Sequence, residues 1–520
     1  MTFFESLLVL LLVAIALLQV ARRLSLPYPA MLAGAGVVVA LVPGAPAIAI
    51  EPSTYLALFI TPALVDAAFD FPPGATRRFL APLVMYAVVA VVLTTGIVAW
   101  IAHSVLGLPL AAAIALGAIV APPDAAAATA VLRKFNLSRR TDAVLKGESL
   151  FNDATALLLF SGALTVLAGR GLTLPVGLRL GLAAPGGLLL GIACGYVVFH
   201  INRLVKDTLG GNLLQFVFAY LVWIAADHLR LSAVLCVIAF AMTLSRKMTS
   251  AEFDARMRVQ SYAVWSSVVF TLNVFAFLLM GMQARSIVLR LEGSHLREAL
   301  AFAALVILAV ICTRLIVVLS FSRFQASREC FNCVRGRAAF GEAFFVGWCG
   351  MRGFVTMAAA FALPVSFPHR DTVVLTAFSV VLATLVLQGL TLAPLVRLLK
   401  LDRTEEAIGE VASARVVLAE AALESIEDQQ GPEADNLRYR LSLNLQNCMN
   451  QQICNVDANV ASVDRLRDLG LKAIEAERDA LETLRTDDSI GPTEYLGLQE
   501  HLDWHELTLL RDTDRQIEEI

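Results

Sequence analysis

Residues 147–160 read GESLFNDATALLLF, and the run continues through FSGALTVLAG as a stretch fit for a membrane interior. Its left half carries Glu148, Ser149, Asn152 and Asp153. A carboxylate at bilayer depth costs on the order of 3 kcal/mol on insertion scales, so this pair of acids needs a reason. Helical spacing divides the four groups. Ser149 and Asp153 lie four apart, as do Glu148 and Asn152. Each pair shares a helix face, and the two faces are about 100° apart. One face offers a hydroxyl and a carboxylate. The other offers Glu148 to a structural partner.

Composition says what surrounds this helix. The 520 residues are 58% hydrophobic and 16% charged, with a mean hydropathy of +0.71. Soluble domains sit near 45–50% apolar and about 25% charged. Apolar stretches of roughly 20 residues recur through positions 1–400, so the chain is a polytopic membrane protein. The net charge of -3 hides an asymmetry: residues 401–520 hold 27 acidic and 11 basic groups, which leaves 17 and 30 before them. That contrast divides the chain into a transmembrane domain, 1–400, and an acidic helical domain, 401–520. The start, MTFFESLLVLLLVAIALLQVARRL, has no basic n-region and no small-residue cleavage site, so it reads as a first spanning helix.

Thirteen segments are expected to be helical: 5–21, 28–46, 53–70, 80–105, 109–132, 144–168, 178–202, 211–228, 231–246, 262–283, 298–321, 340–363 and 373–397. Arg and Lys concentrate in alternate loops, at Arg22/Arg23, Arg77/Arg78, Arg133 to Lys146, Arg203/Lys206, Arg246 to Arg258 and Arg323 to Arg337. The positive-inside rule makes these cytoplasmic, which puts the N-terminus outside and the acidic tail in the cytoplasm.

Two segments are broken by their own chemistry. The fifth contains Pro122-Pro123, which removes two backbone donors, with Asp124 directly after. The twelfth contains Gly347, Gly350 and Gly353 around Arg352. Kinked but continuous helices are one reading. The other is a pair of interrupted helices at matching positions of two halves, 1–6 and 8–13, as in transporters built from inverted repeats with a site near the midplane. Unwound backbone is tolerated there only where protein or a water-filled cavity satisfies it.

The intramembrane charges are then Asp66, Asp124, Glu148, Asp153 and Arg352. Arg352 is read as the one central cation, and a Glu148–Arg352 pair would neutralise both and join two helices. That leaves Asp153 without a permanent counter-ion. Oxygen ligands without Cys or His suit Na⁺, K⁺, Li⁺ or a proton. A carboxylate removed from water binds protons more readily, so proton and metal cation would compete for it. A buried structural network is the alternative. A membrane enzyme lacks its constellation, because His103, His200, His228 and His369 are dispersed. A channel or a transport-derived sensor is separated from an exchanger by flux assays.

At these residues the sequence resembles the NhaP/NHE-type cation:proton antiporters over roughly 1–400. GESLFNDA (147–154) and GMRGFVTMAAAFALP (350–364) carry the resemblance, with FTLNVFAFLLMG, ICTRLIVV and TLVLQGLTLAPLVRLLKL as lesser blocks. The resemblance implies an all-α fold of about thirteen transmembrane helices in inverted repeats, with two interrupted crossing helices. It also implies a homodimer in the bacterial inner membrane, no cofactor and no nucleic acid. Asp153 would carry cation or proton in alternation, supported by Asn152 and Ser149. Glu148 would pair with Arg352, and exchange would be electroneutral. Pro122, Pro123, Gly350 and Gly353 mark the helix breaks. Two positions depart from the family pattern: Pro123-Asp124-Ala125 replaces Thr-Asp-Pro, and Asp66 stands where a Glu is usual, so the ion site is altered at Asp124 and Asp66.

In the tail, Ile408, Val411, Leu418 and Ala422 fall at helical spacing, as do Leu471, Ile474, Leu481 and Leu484. Gly431-Pro432 and Gly491-Pro492 punctuate these helices. The tail resembles the cytoplasmic extensions of bacterial relatives, where regulation or dimer contact stands against a plain solvated appendage. Cys330 and Cys333 form one C-x-x-C without a second pair, which reads as reduced thiols rather than a metal or redox site.

Overall fold

A computed structural model describes residues 3–24, 28–41, 52–72, 74, 78–124, 127–128, 132, 135–170, 174–202, 209–248, 255–288, 293–328, 336–453, 457–487 and 489–510. The Cys330/Cys333 pair lies outside the described residues. The chain forms two compact units, Met1–Asp402 with the last residue, and Arg403–Glu519.

Among its described residues the first unit is built from helices and short connections, with no strand. Its elements are α1 (Phe3–Leu24), α2 (Tyr28–Leu41), α3 (Pro52–Phe69), α4 (Leu80–Leu106), α5 (Leu110–Val120), α6 (Arg139–Thr165) and α7 (Leu174–Asn202). Then come α8 (Leu209–His228), α9 (Ala233–Met248), α10 (Ala255–Val288), α11 (Gly293–Arg328), α12 (Gly336–Trp348), α13 (Phe354–Phe361) and α14 (Arg370–Leu399). Every expected segment contains helix. Six helices are long and apolar enough to cross a membrane among the described residues: α4, α6, α7, α10, α11 and α14. The fifth and twelfth segments are broken rather than kinked, because α5 stops at Val120 and residues 349–353 separate α12 from α13.

Local chemistry sets several ends. α6 begins where the Ser138 hydroxyl accepts the Thr141 N–H at 3.2 Å, with Asp142 in the first turn beside the positive end of the helix dipole. α4 widens into a π turn over Met85–Ala90 and closes on Gly107, whose φ of 63° suits a left-handed cap.

Helix pairing repeats between the halves. α4 packs on α5 as α11 packs on α12, and α1 packs on α2 as α8 packs on α9. α5 lies against α6 as α12 and α13 lie against α14. The contact of α7 with α9 uses small residues, as expected where lipid offers no hydrophobic drive for association. Gly187, Gly191 and Gly195 form a stripe on α7 that faces α9. A β-carbon on Gly191 would come within 2.9 Å of Ala239 Cβ, and one on Gly195 within 2.8 Å of Thr243 Cβ.

The second unit holds α15 (Thr404–Glu424), α16 (Pro432–Ile453), α17 (Asp457–Thr486) and α18 (Pro492–Leu509). α15 pairs with α16, and α17 pairs with α18 over a core that includes Ile474, Leu481 and Leu502. The two Gly-Pro pairs start α16 and α18. On α15 the expected face is turned: Ala412, Val416 and Ala419 are buried, whereas Val411 and Leu418 are exposed. The buried stripe is made of smaller side chains, which let α16 approach closely.

Gly191→Leu is expected to cost about 1–3 kcal/mol by overpacking and to lower the melting temperature of the detergent-solubilised protein. Gly181→Leu, at a position with nothing within 4 Å of an added β-carbon, serves as the control and leaves the melting temperature unchanged.

Candidate functional site

The two breaks meet. In a continuous helix the Asp124 N–H would bond to the Val120 carbonyl four residues back. It donates instead to Met351 O at 2.6 Å, in the unwound stretch between α12 and α13. The orphaned Val120 O accepts from Arg352 Nε at 3.1 Å, and Ala121 O accepts from Arg352 Nη2 at 3.2 Å. Arg352 Nη1 also donates to Gly350 O, and its backbone N–H donates to Thr384 Oγ1 of α14 at 3.1 Å. The two unwound segments therefore exchange partners, each closing groups that the other leaves open.

A second guanidinium does the same for α12. Arg314, on α11, donates from Nε to Gly347 O and from Nη2 to Val346 O, both at 3.1 Å. These carbonyls would have served Met351 and Gly350 in an unbroken helix. The C-terminal ends of α5 and α12 thus each carry an arginine, where the helix dipole favours positive charge. Glycine is required beside both. A β-carbon on Gly350 would collide with the Arg314 side chain, and one on Gly353 with the Asp124 carboxylate.

The expected Glu148–Arg352 pair does not form. Glu148 is paired with Arg314, through Nη1 to Oε1 and through Nη2 to Oε2 at 3.0 Å. The reason is donor supply. The Arg352 fork is taken up by the carbonyls of residues 120, 121 and 350. Arg314 presents Glu148 with a planar, two-toothed match of the kind guanidinium and carboxylate favour. Nor is Arg352 the one central cation, since Arg314 is also buried. Its place in ICTRLIVV, inside the 298–321 segment, was the available signal: an arginine in mid-span has to face protein.

Glu148 and Asn152 share one face of α6. Asn152 is fully buried and donates from Nδ2 to Pro123 O at 2.7 Å, so this face binds both breaks: Glu148 through Arg314, Asn152 directly. Asn152 Oδ1 makes no hydrogen bond to a described residue. On the next face Asp153 is buried and makes no hydrogen bond or ion pair with a described residue. The charged group that acts on it is the Asp124 carboxylate. Ser149 is half-buried one turn before it. Asp66 is half-buried on α3, a helix that touches both α6 and α13. A small cavity lies beside the crossing, lined by Tyr86, Ala90, Val91 and Thr94 of the widened α4, by Ala121 and Pro123, and by both arginines. No group of three or more His, Cys, Asp or Glu with metal-binding geometry occurs among the described residues.

The chemistry of this arrangement is one-sided. Both buried arginines are committed to carbonyls or to Glu148. Asp153, buried on the adjoining α6, makes no hydrogen bond or ion pair with a described residue, and the Asp124 charge bears on it. A buried carboxylate without a counter-ion takes up a proton more readily than one in water.

Comparison with known proteins agrees with this chemistry. A family model described as the transmembrane sodium/hydrogen exchanger matches residues 8–398. An uncharacterised Na⁺/H⁺ exchanger of Mycobacterium tuberculosis is 27% identical over 507 residues, covering 94% of this chain and 93% of its own. A sodium, potassium, lithium and rubidium/H⁺ antiporter of Bacillus pumilus is 26% identical, covering 93% of this chain and 74% of its own. Among solved structures, the sodium proton antiporter MjNhaP1 of Methanocaldococcus jannaschii has a TM-score of 0.59 at 19% identity, over 77% of this chain and 99% of that one. That last likeness speaks for the fold. With residues 8–398 of its 520 matched by that model, the chain belongs to the sodium/hydrogen exchanger family.

Proposed function

We infer that the protein is a secondary antiporter that exchanges a monovalent cation for H⁺ by alternating access, with the two competing for Asp153. The observation that carries this reading is a buried Asp153 with no described hydrogen-bond or ion-pair partner, next to Asp124, while the nearby arginines are occupied. A carboxylate that holds one cation or one proton, never both, links the two fluxes without a further device. It also makes one-for-one, electroneutral exchange the simplest stoichiometry.

Na⁺ is the first candidate, in keeping with the names of the relatives, and K⁺ and Li⁺ follow from the broader name of the Bacillus protein. The ligand set is oxygen from Asp153, Asp124, Ser149 and Asn152, with Asp66 a further contributor, and hard monovalent cations suit it. Loop charge supports thirteen crossings, an N-terminus outside and a cytoplasmic tail in a bacterial inner membrane. A homodimer is part of the same reading. The acidic tail acts in regulation or dimer contact.

In everted vesicles, added Na⁺ is expected to drive proton movement that Asp153→Asn abolishes, by at least ~100-fold. Full activity in that variant would sink the role of Asp153. Competition further requires the apparent KM for Na⁺ to rise as pH falls; a pH-independent KM contradicts a shared site. Proton-gradient-insensitive Na⁺ flux would mark a channel instead.

The pairing of Glu148 is tested by double-mutant cycles on thermal stability. Glu148→Gln and Arg314→Met are expected to couple by at least ~2 kcal/mol, because either change alone leaves a buried charge uncompensated. Glu148→Gln with Arg352→Met is expected to couple less strongly than this, because no hydrogen bond joins those two side chains.

A further inference from the structure

We propose that Gln388 is a positioning residue for the transport cycle, a buried latch whose amide bonds the unwound backbone of residues 349–353 in the opposite access state. The inference rests on the exchanger reading above.

Gln388 lies on α14 between two residues that already grip that segment. Thr384 Oγ1 accepts the Arg352 N–H at 3.1 Å, and Thr391 Oγ1 accepts the Trp348 Nε1–H at 2.8 Å. Trp348 ends α12, and Arg352 lies just before α13. Helical spacing puts positions 384, 388 and 391 on a strip about 60° wide, with position 388 roughly 6 Å along the axis from 384 and 4.5 Å from 391. Gln388 therefore faces the break from between its two anchors.

Its environment sets it apart from them. Gln388 is fully buried, and neither its Nε2 nor its Oε1 has a hydrogen-bond partner among the described residues. A buried amide with both ends open destabilises the state that contains it. The unwound segment has peptide groups outside any helical ladder, and an amide side chain can serve a donor and an acceptor of that backbone together. A shift of the break relative to α14 exchanges an unsatisfied amide for a bonded one. Thr384 and Thr391 also hydrogen-bond to carbonyls of their own helix, at Val380 O and Leu387 O, so they keep a partner through such a shift. Gln388 is the member of the strip whose bonding changes, so it biases the equilibrium between states without touching the cation.

The test is Gln388→Met, which keeps the length and shape of the side chain and removes both polar atoms. In the full chain the melting temperature in detergent is expected to rise by about 2 °C or more, because the open amide is gone. In proteoliposomes, kcat for Na⁺-driven proton movement is expected to fall at least ~10-fold while KM for Na⁺ stays within about twofold. Gln388→Asn, which retains the amide, recovers part of the turnover. A lower melting temperature would show the amide to be bonded already and overturn the inference. So would wild-type turnover in Gln388→Met, or a raised KM at unchanged kcat, which would make Gln388 a cation ligand. Absence of Na⁺-driven proton movement in the unsubstituted protein would instead overturn the exchanger reading itself.

Discussion

Carbonyl groups left open by two broken helices, and the guanidinium groups that close them, set the terms for the rest of the membrane unit. Hydrocarbon offers a peptide group no hydrogen bond, so a helix can stop inside the bilayer only where protein meets its last turn. Pro122-Pro123 and the 349–353 stretch create that need twice. Arg352 answers the first break and Arg314 the second. The arrangement repeats between the halves, as the helix pairing does, although the two arginines come from different elements: one from a break itself, the other from the helix beside it.

The consequence for chemistry follows from counting donors. A guanidinium has five N–H groups in a fixed fork, and these two are largely directed at backbone and Glu148. The positive charge at the crossing is therefore structural. On the negative side, the buried Asp153 carboxylate makes no hydrogen bond or ion pair with a described residue. A structure that satisfied every group would bind nothing. Here the two guanidinium groups close carbonyls of residues 120, 121, 346, 347 and 350, and in the proposed exchanger Asp153 is left to take up a mobile positive charge. Asn152 sits on the boundary, with its amide N–H given to Pro123 O and its carbonyl oxygen open.

Much of this was legible in residue order. The helical segments follow from hydropathy, and the sites of both breaks are marked by residues that weaken a helix, Pro122-Pro123 and the glycines around Arg352. The two faces of GESLFNDA follow from a period of 3.6, and Glu148 and Asn152 do lie on the bonding side. What periodicity cannot supply is the partner. Glu148 could have met either arginine, and the choice depends on how the 120–124 and 349–353 stretches cross, which is a property of three-dimensional packing. Arg314 was obscured because its neighbours in ICTRLIVV are ordinary membrane residues, with no glycine or proline to draw attention. The turned face of α15 has a similar origin: Val411 and Leu418 dominate a hydropathy pattern, but close packing selects the smaller Ala412 and Ala419.

The Glu148–Arg314 pair also has a history within the life of each molecule. The two residues are 166 positions apart in the chain. A ribosome adding about 5–20 residues per second needs roughly 10–30 s to pass from one to the other. Glu148 is thus delivered to the membrane long before the arginine that neutralises it has been made, and the break that Arg314 closes is synthesised later still. The first half cannot complete its interior alone and has to be held, or kept near water, until the second arrives. An ion pair that looks like a local fastening in the finished protein is also a clock on its assembly.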